Sequence, residues 1–481
     1  MNNNKLRILL ILLFVSGLFL SADAQTKLAS IFTDHMILQQ KDRVNIWGWD
    51  KKSQKITLST SWDRQTYTAV TDANGKWLIK ISTPAASRQS YEITISNGTK
   101  TLLKDILIGD VWLCTGQSNM EMPMKGYKGQ PINGANEFIL KSANPYIRLY
   151  TVPRSSITTA QENSKTSAWK VAGPETVSSF SATGYLFGKL LQEMLDIPIG
   201  LLNSSYGGSS AQAWMSAMTL KEFPDIKIPA REDSIKQVSR TPTTLYNGMI
   251  HPIAGYGIKG AIWYQGESNY ENAELYEKLF PAMVKQWRLE WGGKDFPFYY
   301  AQIAPYNYKL LSPQNVGENF NSAYLRDAQR KSVAVIPNSA MAVLLDIGEE
   351  KGIHPGNKEV GGRRLAYLAL AHSYGIKGFV AESPAYESIS VTGNTALVKF
   401  KHAENGLSTF GKELTNFEVA GADHLFHPAK AVIKNETVVV SSPEVNAPIA
   451  VRYAFKDFVV GELYNNDGLP ASSFRTDDWK Y

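Results

Sequence analysis

The stretch from Ile106 to Leu113 is short, apolar and rich in β-branched and aromatic residues, and it empties directly into Cys114-Thr115-Gly116-Gln117-Ser118-Asn119-Met120. A run of that kind fits a parallel strand buried on both faces. In open α/β sheets ligands bind beyond the carboxyl ends of the strands, so a hydroxyl at Ser118 stands where chemistry is done. A turn serine that only satisfies its own loop is the plainer alternative for this residue taken alone.

The segments downstream of Leu113 support the first reading. Ser181 can cap a helix with Phe187, Leu190, Leu191 and Met194 on one face, closed by Pro198. Ile199 to Asn203 then reads as a buried strand running into Ser204-Ser205-Tyr206-Gly207-Gly208-Ser209-Ser210. After a polar surface insertion from Asp225 to Thr243, Gly257 to Tyr264 is another strand, emptying into Gln265-Gly266-Glu267-Ser268-Asn269. Strands are also expected over Phe296 to Ile303 and Ala340 to Leu345, the last ending in Asp346. Ile353-His354-Pro355-Gly356-Asn357 opens a helix with Leu365, Leu368, Ala369 and His372 on one stripe. Strand, loop and helix in repetition predict an α/β fold with a parallel sheet flanked by helices.

The flanks keep a different rhythm. From Leu28 to about Asp105 short alternating runs are separated by turn signals such as Asp72-Ala73-Asn74-Gly75, which predicts a small β-sandwich. Trp47, Trp49, Trp62 and Trp77 lie in it, as core residues by preference over a sugar platform. After about Gly378 short strands return at 396–400, 429–433, 437–440 and 450–455, with Asn435-Glu436 as a hairpin turn. The expected organisation is a leader at 1–24, a β-sandwich at 25–105, an α/β catalytic domain at 106–378 and a C-terminal β-domain at 379–481.

Lys5 and Arg7, the apolar run Ile8 to Leu20 and Ala22-Asp23-Ala24 have the three regions of a secretory signal, so export to the periplasm or beyond is expected, with a mature chain from Gln25. No later segment is long and apolar enough to predict a membrane span. Cys114, the single cysteine, allows no intrachain disulfide and reads as a core residue. A net charge of +6 over 481 residues, without a Lys/Arg run, gives no footprint for nucleic acid. His424 and His427 have only Asp423 as an acidic neighbour, too few ligands for a metal site, and His251 is assigned a structural role.

Four strand ends therefore converge: Ser118, Gly207 with Gly208, Gln265 with Glu267, and Asp346 leading to His354. A serine nucleophile needs a base, a group that orients the base, and donors aimed at the developing oxyanion. His354 would be the base and Glu267 or Asp346 its orienting carboxylate. The backbone N–H groups of Ser118 and of Gly207 or Gly208, with the Gln265 amide, would serve the oxyanion. No metal or organic cofactor is called for, and a base of ordinary histidine pKa predicts loss of activity below about pH 6 to 7.

Gly116-Gln117-Ser118-Asn119-Met120, Trp263-Tyr264-Gln265-Gly266-Glu267-Ser268-Asn269 and Ile353-His354-Pro355 together resemble the signature blocks of the sialate O-acetylesterase family of SGNH hydrolases, which also include acetylxylan esterases. The similarity extends to Phe32-Thr33-Asp34-His35-Met36-Ile37-Leu38-Gln39 and to Gly468-Leu469-Pro470-Ala471. It implies an SGNH-like fold, Ser118 as nucleophile, His354 as base and Glu267 as third member. The implied reaction is removal of O-acetyl groups from sugars, sialic acid first. Acetylated xylan or another glycan is the alternative substrate, and an inactive carbohydrate-binding protein the alternative class. Many relatives have Asp two residues before the histidine, where this chain has Gly352. That departure favours Glu267 over a local carboxylate and leaves Asp346 as second choice. Arg148, Arg326 or Arg363 would suit a sialic acid carboxylate. Oligomeric state leaves no mark in the sequence.

Overall fold

The computed structural model describes residues 25–311 and 321–479, so the expected leader at 1–24 lies outside the described residues. The molecule is built around one long strand, β1 (Lys100–Gly116). Its first half pairs with Ser87–Ser96 and, at Leu107 to Gly109, with Ile37–Gln39. Its second half lies in the middle of a sheet with β2 (Asn144–Thr151), β3 (Lys170–Ala172), β4 (Ile199–Ser205), β5 (Gly260–Tyr264), β6 (Phe298–Ala301) and β7 (Ser339–Ala342). The order across it is β3-β2-β4-β1-β5-β6-β7, and all neighbours are parallel except β3 on β2. The change of sequence rhythm near Ile106 falls where this strand passes from one set of partners to the other.

The continuous apolar runs are explained by cover on both faces of the sheet. In β1, Val111 and Leu113 enter one core while Trp112 and Cys114 enter the other; in β5, Ala261 and Trp263 alternate with Ile262 and Tyr264 in the same way. One side is covered by α2 (Ala182–Leu195) and the other by α3 (Ala273–Glu290) and α4 (Ala323–Val335). The helix α5 (Lys358–Leu368) packs beside α2. Each large apolar side chain so buried contributes roughly 1.5–3 kcal/mol. Burial also pushes the Cys114 thiol far above its ordinary range, which makes it an inert core group.

Two details depart from the expected stripes. Phe187, Leu190 and Leu191 are buried, but Met194 is 56% exposed, because the last turn of α2 overhangs the core before Asp196 closes it in a left-handed conformation. After Leu368 the helix widens to a π turn over Ala369–Ser373. The wider turn rotates His372 off the buried stripe, and its Nε2 pairs with Glu382 Oε1 at 2.8 Å.

On the N-terminal side, Lys27–Leu28, Arg43–Trp49 and Lys76–Ser82 form a separate antiparallel sheet, with Trp47 and Trp77 in the core. On the C-terminal side, Ala385–Thr392, Thr395–Lys401, Thr437–Ser441 and Lys430–Lys434 form one antiparallel sheet. Asn435, in the left-handed region at φ 56, turns the last hairpin. A second sheet holds Phe426–Pro428, Phe417–Ala420, Ala450–Tyr453 and Phe474–Arg475. Their shared core includes Val343 and Leu345, just beyond β7. His424 and His427 part company there: the first stacks on Trp479 and the second pairs with Glu444. Among the described residues no helix is long and apolar enough to cross a membrane.

Candidate active site

Gly116 ends β1 with φ 137, and a Cβ there would stand 2.2 Å from the carbonyl oxygen of Tyr264, so only glycine lets the two strands end this close. The chain then turns at Gln117, whose N–H donates to Tyr264 O at 3.0 Å, and starts the one-turn helix α1 (Ser118–Glu121). Gln117 O accepts from Met120 and Glu121, which leaves the Ser118 N–H at the open end of the turn. The cap of α2 locks this turn from behind: Ser181 Oγ donates to Met120 O at 2.5 Å and accepts from Gly184 N at 2.9 Å.

His354 Nε2 lies 2.7 Å from Ser118 Oγ, and His354 Nδ1 lies 2.5 Å from Gln130 Oε1. An amide oxygen can only accept, so Nδ1 carries the proton and Nε2 presents a lone pair to the serine hydroxyl. Burial, and then the positive charge of Lys358, lower the pKa of His354 to about 4, so the ring is neutral at pH 7. Both residues line a cleft of about 390 Å³ with Tyr127, Arg154, Gly207 and Arg240.

Beneath the cleft Asn119, 1% exposed, joins the elements that carry these groups. Its Nδ2 donates to Glu267 Oε1 at 2.5 Å and to Ile353 O at 3.1 Å, and its Oδ1 accepts from Lys358 Nζ. Burial raises the Glu267 carboxyl above its ordinary value and lowers the Lys358 ammonium to about 7.

This arrangement sits on a chain whose relatives agree with one another. Residues 108–354 match the family model described as a carbohydrate esterase, sialic acid-specific acetylesterase. Sialate O-acetylesterase of Homo sapiens is 30% identical over 503 residues, covering 94% of this chain and 93% of the relative. The Mus musculus protein of that name is 28% identical over 453 residues, covering 82% of each. The chain belongs to the sialic acid-specific acetylesterase family of carbohydrate esterases. A carbohydrate acetylesterase from Xanthomonas citri of known structure superposes with a TM-score of 0.84 at 35% identity, over 95% of this chain and 100% of that one. The activity is that of a carboxylic ester hydrolase.

Within this esterase the candidate residues take distinct places. Ser118 and His354 are in contact, while Glu267 lines the same cleft and bonds to Asn119, not to either of them. Asp346 is turned away, with one oxygen each on Arg364 Nη1 and Nη2 at 2.7 Å. Gln265 is fully buried and donates to Ser209 O at 2.9 Å and Asn269 Oδ1 at 2.7 Å, so it braces the loop after β4. Gly207 N donates to Glu121 Oε2 at 2.7 Å, and a Cβ on Gly207 would sit 3.0 Å from that oxygen. Gly208, in the left-handed region at φ 71, lines the cleft beside it.

Of the arginines offered for an acidic sugar, none lines the cleft. Arg148 is buried against Asp105 at 2.6 Å, Arg326 is buried among backbone carbonyls and Ser473, and Arg363 lies on the outer face of α5 with Glu359. The esterase's cleft instead carries Arg154, paired with Glu121 and stacked 4.5 Å over Tyr206, and Arg240 from the surface insertion. Asn119 and Lys358 were open to sequence reading, one beside Ser118 and the other four residues after His354. Gln130 carried no such signal.

Proposed function

We propose that this chain is an exported serine esterase that removes O-acetyl groups from sugars, O-acetylated sialic acid first. The observation that carries the reading is the 2.7 Å contact of Ser118 Oγ with His354 Nε2 in an open cleft. Ser118 attacks the acetyl carbonyl while His354 takes its proton. The oxyanion is met by the N–H groups of Ser118 and Gly208, at the ends of β1 and β4. The imidazolium returns the proton to the departing sugar oxygen, and a water molecule then releases acetate by the same route. Gln265 and Glu267 act in this reading as braces, the first on the loop carrying Gly208 and the second on Asn119.

The substrate class follows the name carried by the curated relatives. Positive charge on the cleft wall from Arg240, which has no ion pair among the described residues, suits an acidic sugar. The same reading makes the parallel sheet of an SGNH type, residues 106–378 its catalytic unit, and 25–105 and 379–481 attached β-domains. Acetate release from O-acetylated sialic acid and from acetylated xylan, with Ser118→Ala as control, tests it. Release from the first by the wild type and from neither by the variant is expected. Preference for xylan replaces the substrate assignment, full turnover by Ser118→Ala removes the nucleophile, and binding without turnover makes the chain a carbohydrate-binding protein.

A further inference from the structure

We infer that Gln130, a neutral amide, stands where a serine hydrolase of this kind would place a carboxylate, and that it orients His354 by accepting the Nδ1–H; the inference rests on the esterase reading. The ring's hydrogen bonds among the described residues go to Ser118 and Gln130. Neither carboxylate offered by the sequence bonds the ring: Asp346 is held by Arg364, and Glu267 is held by Asn119 through Oε1, while its buried Oε2 has no hydrogen-bond partner among the described residues. Position 352 is glycine here and offers no carboxylate, and the space where its Cβ would stand is taken by the Glu349 side chain, whose Oε2 lies 2.5 Å away and would have to swing aside. Glu349 itself accepts from Gly356 N at 2.8 Å and so holds the histidine loop instead of the ring.

The fold places Gln130 for this task. Tyr127 and Gln130 close a tight turn by a reciprocal pair of backbone hydrogen bonds, at 3.1 and 3.0 Å. Asn133 N then donates to Gly356 O at 3.0 Å, which ties the segment carrying Gln130 to the loop carrying His354. Tyr127 stands edge-on to the imidazole at a centroid distance of 5.5 Å and limits its rotation. The charged groups around the ring are Lys358 below it, Glu349 in its own loop, Glu267 at the end of β5, and the Glu121–Arg154 pair and Arg240 on the cleft wall. A neutral acceptor fixes the tautomer as a carboxylate would, but it gives the imidazolium formed during the reaction no opposite charge. This makes Gln130 a positioning residue.

The test uses the full mature chain. Gln130→Met keeps the volume and removes the acceptor, and should lower kcat on 4-nitrophenyl acetate about 10- to 100-fold with KM within twofold. Gln130→Glu supplies the missing charge, and should keep activity while moving the acid limb of kcat/KM upward by about one pH unit or more. Titration of His354 followed by NMR, with His354→Gln to assign its signals, reads the same shift without any turnover. An unmoved His354 titration in Gln130→Glu, or Gln130→Met within twofold of wild type, overturns the inference. Unaltered turnover in Ser118→Ala would instead overturn the esterase reading and leave the titration to decide on Gln130.

Discussion

Asn119→Ala should weaken the fold more than any single polar truncation at the cleft, and the size can be worked from its contacts. The side chain satisfies three groups, the buried Glu267 Oε1 and Lys358 Nζ and the half-buried Ile353 O. Each buried polar group left unsatisfied costs about 1–3 kcal/mol, and more where it is charged. Water entering the vacated space offsets part of this, so a loss of roughly 3–4 kcal/mol is expected, a large fraction of a typical 5–15 kcal/mol. At roughly 2–4 °C per kcal/mol for a unit of this size, Tm should fall by about 6–16 °C. Urea and thermal unfolding followed by tryptophan fluorescence read it, since Trp112 and Trp263 are buried on the two faces of the sheet whose strands end at the network. Lys358→Met removes the buried ammonium itself, so in the double variant the two losses should fall short of their sum by about 1 kcal/mol or more. Asn119→Ala within 1 kcal/mol of wild type, or strict additivity with Lys358→Met, would refute the view that one amide unites the three elements.

Three further outcomes are expected. Because burial and Lys358 lower His354 to about 4, kcat/KM should stay level through pH 6 and fall only as pH approaches 4 to 5, in place of the limb near 6 to 7 that an ordinary histidine predicts; a midpoint at 6.5 would contradict the burial of the ring. Gly207→Ala crowds Glu121 Oε2, 3.0 Å from the new methyl, which must shift together with its bond to the Gly207 N–H beside Ser118, so turnover should drop several-fold at unchanged Tm, as a paired assay and melt would show. Glu382 bridges His372 and His402, whose Nε2 atoms lie 2.8 and 2.7 Å from its oxygens. These contacts hold the Glu382 carboxyl low and the His402 imidazole high. The raised histidine stabilises below its unfolded pKa and loses this as pH rises through its folded value, while the lowered carboxylate loses its share as pH falls below the ordinary range. The stability difference between wild type and Glu382→Gln should therefore be largest between about pH 4.5 and 6.5 and shrink towards pH 9, as melts across that range would reveal.

The sheet was legible because burial on both faces leaves a signature no surface strand has: Val111, Trp112, Leu113 and Cys114 are apolar in succession, and so are Ala261 to Tyr264. The strand ends announced Ser118, Gly207, Gly208 and Glu267 for the same reason, since polar residues crowd where the cover stops. His354 came from spacing to a helix start and a resemblance. What stayed hidden depends on side-chain direction. Asp346 and Gln265 sit at strand ends, yet one turns to Arg364 and the other inward to Asn269. Met194 fits the helical stripe, but nothing in a period of 3.6 tells where the core ends beneath it. Gln130 lies in a loop of ordinary polar composition, and only the turn at Tyr127 brings it to the ring.

The strand β1 has a consequence for any attempt to divide the molecule. Its seventeen residues belong to two sheets at once, with Ile37–Gln39 zipped along its middle and Ser118 just past its far end. Cutting before Ile106 would strip hydrogen-bonding partners from Leu107 to Gly109 and uncover Arg148, whose counter-charge is Asp105. The amino-terminal strands thus splint the strand that leads to Ser118, and a protein trimmed to start at Ile106 would present a raw, adhesive edge to solvent.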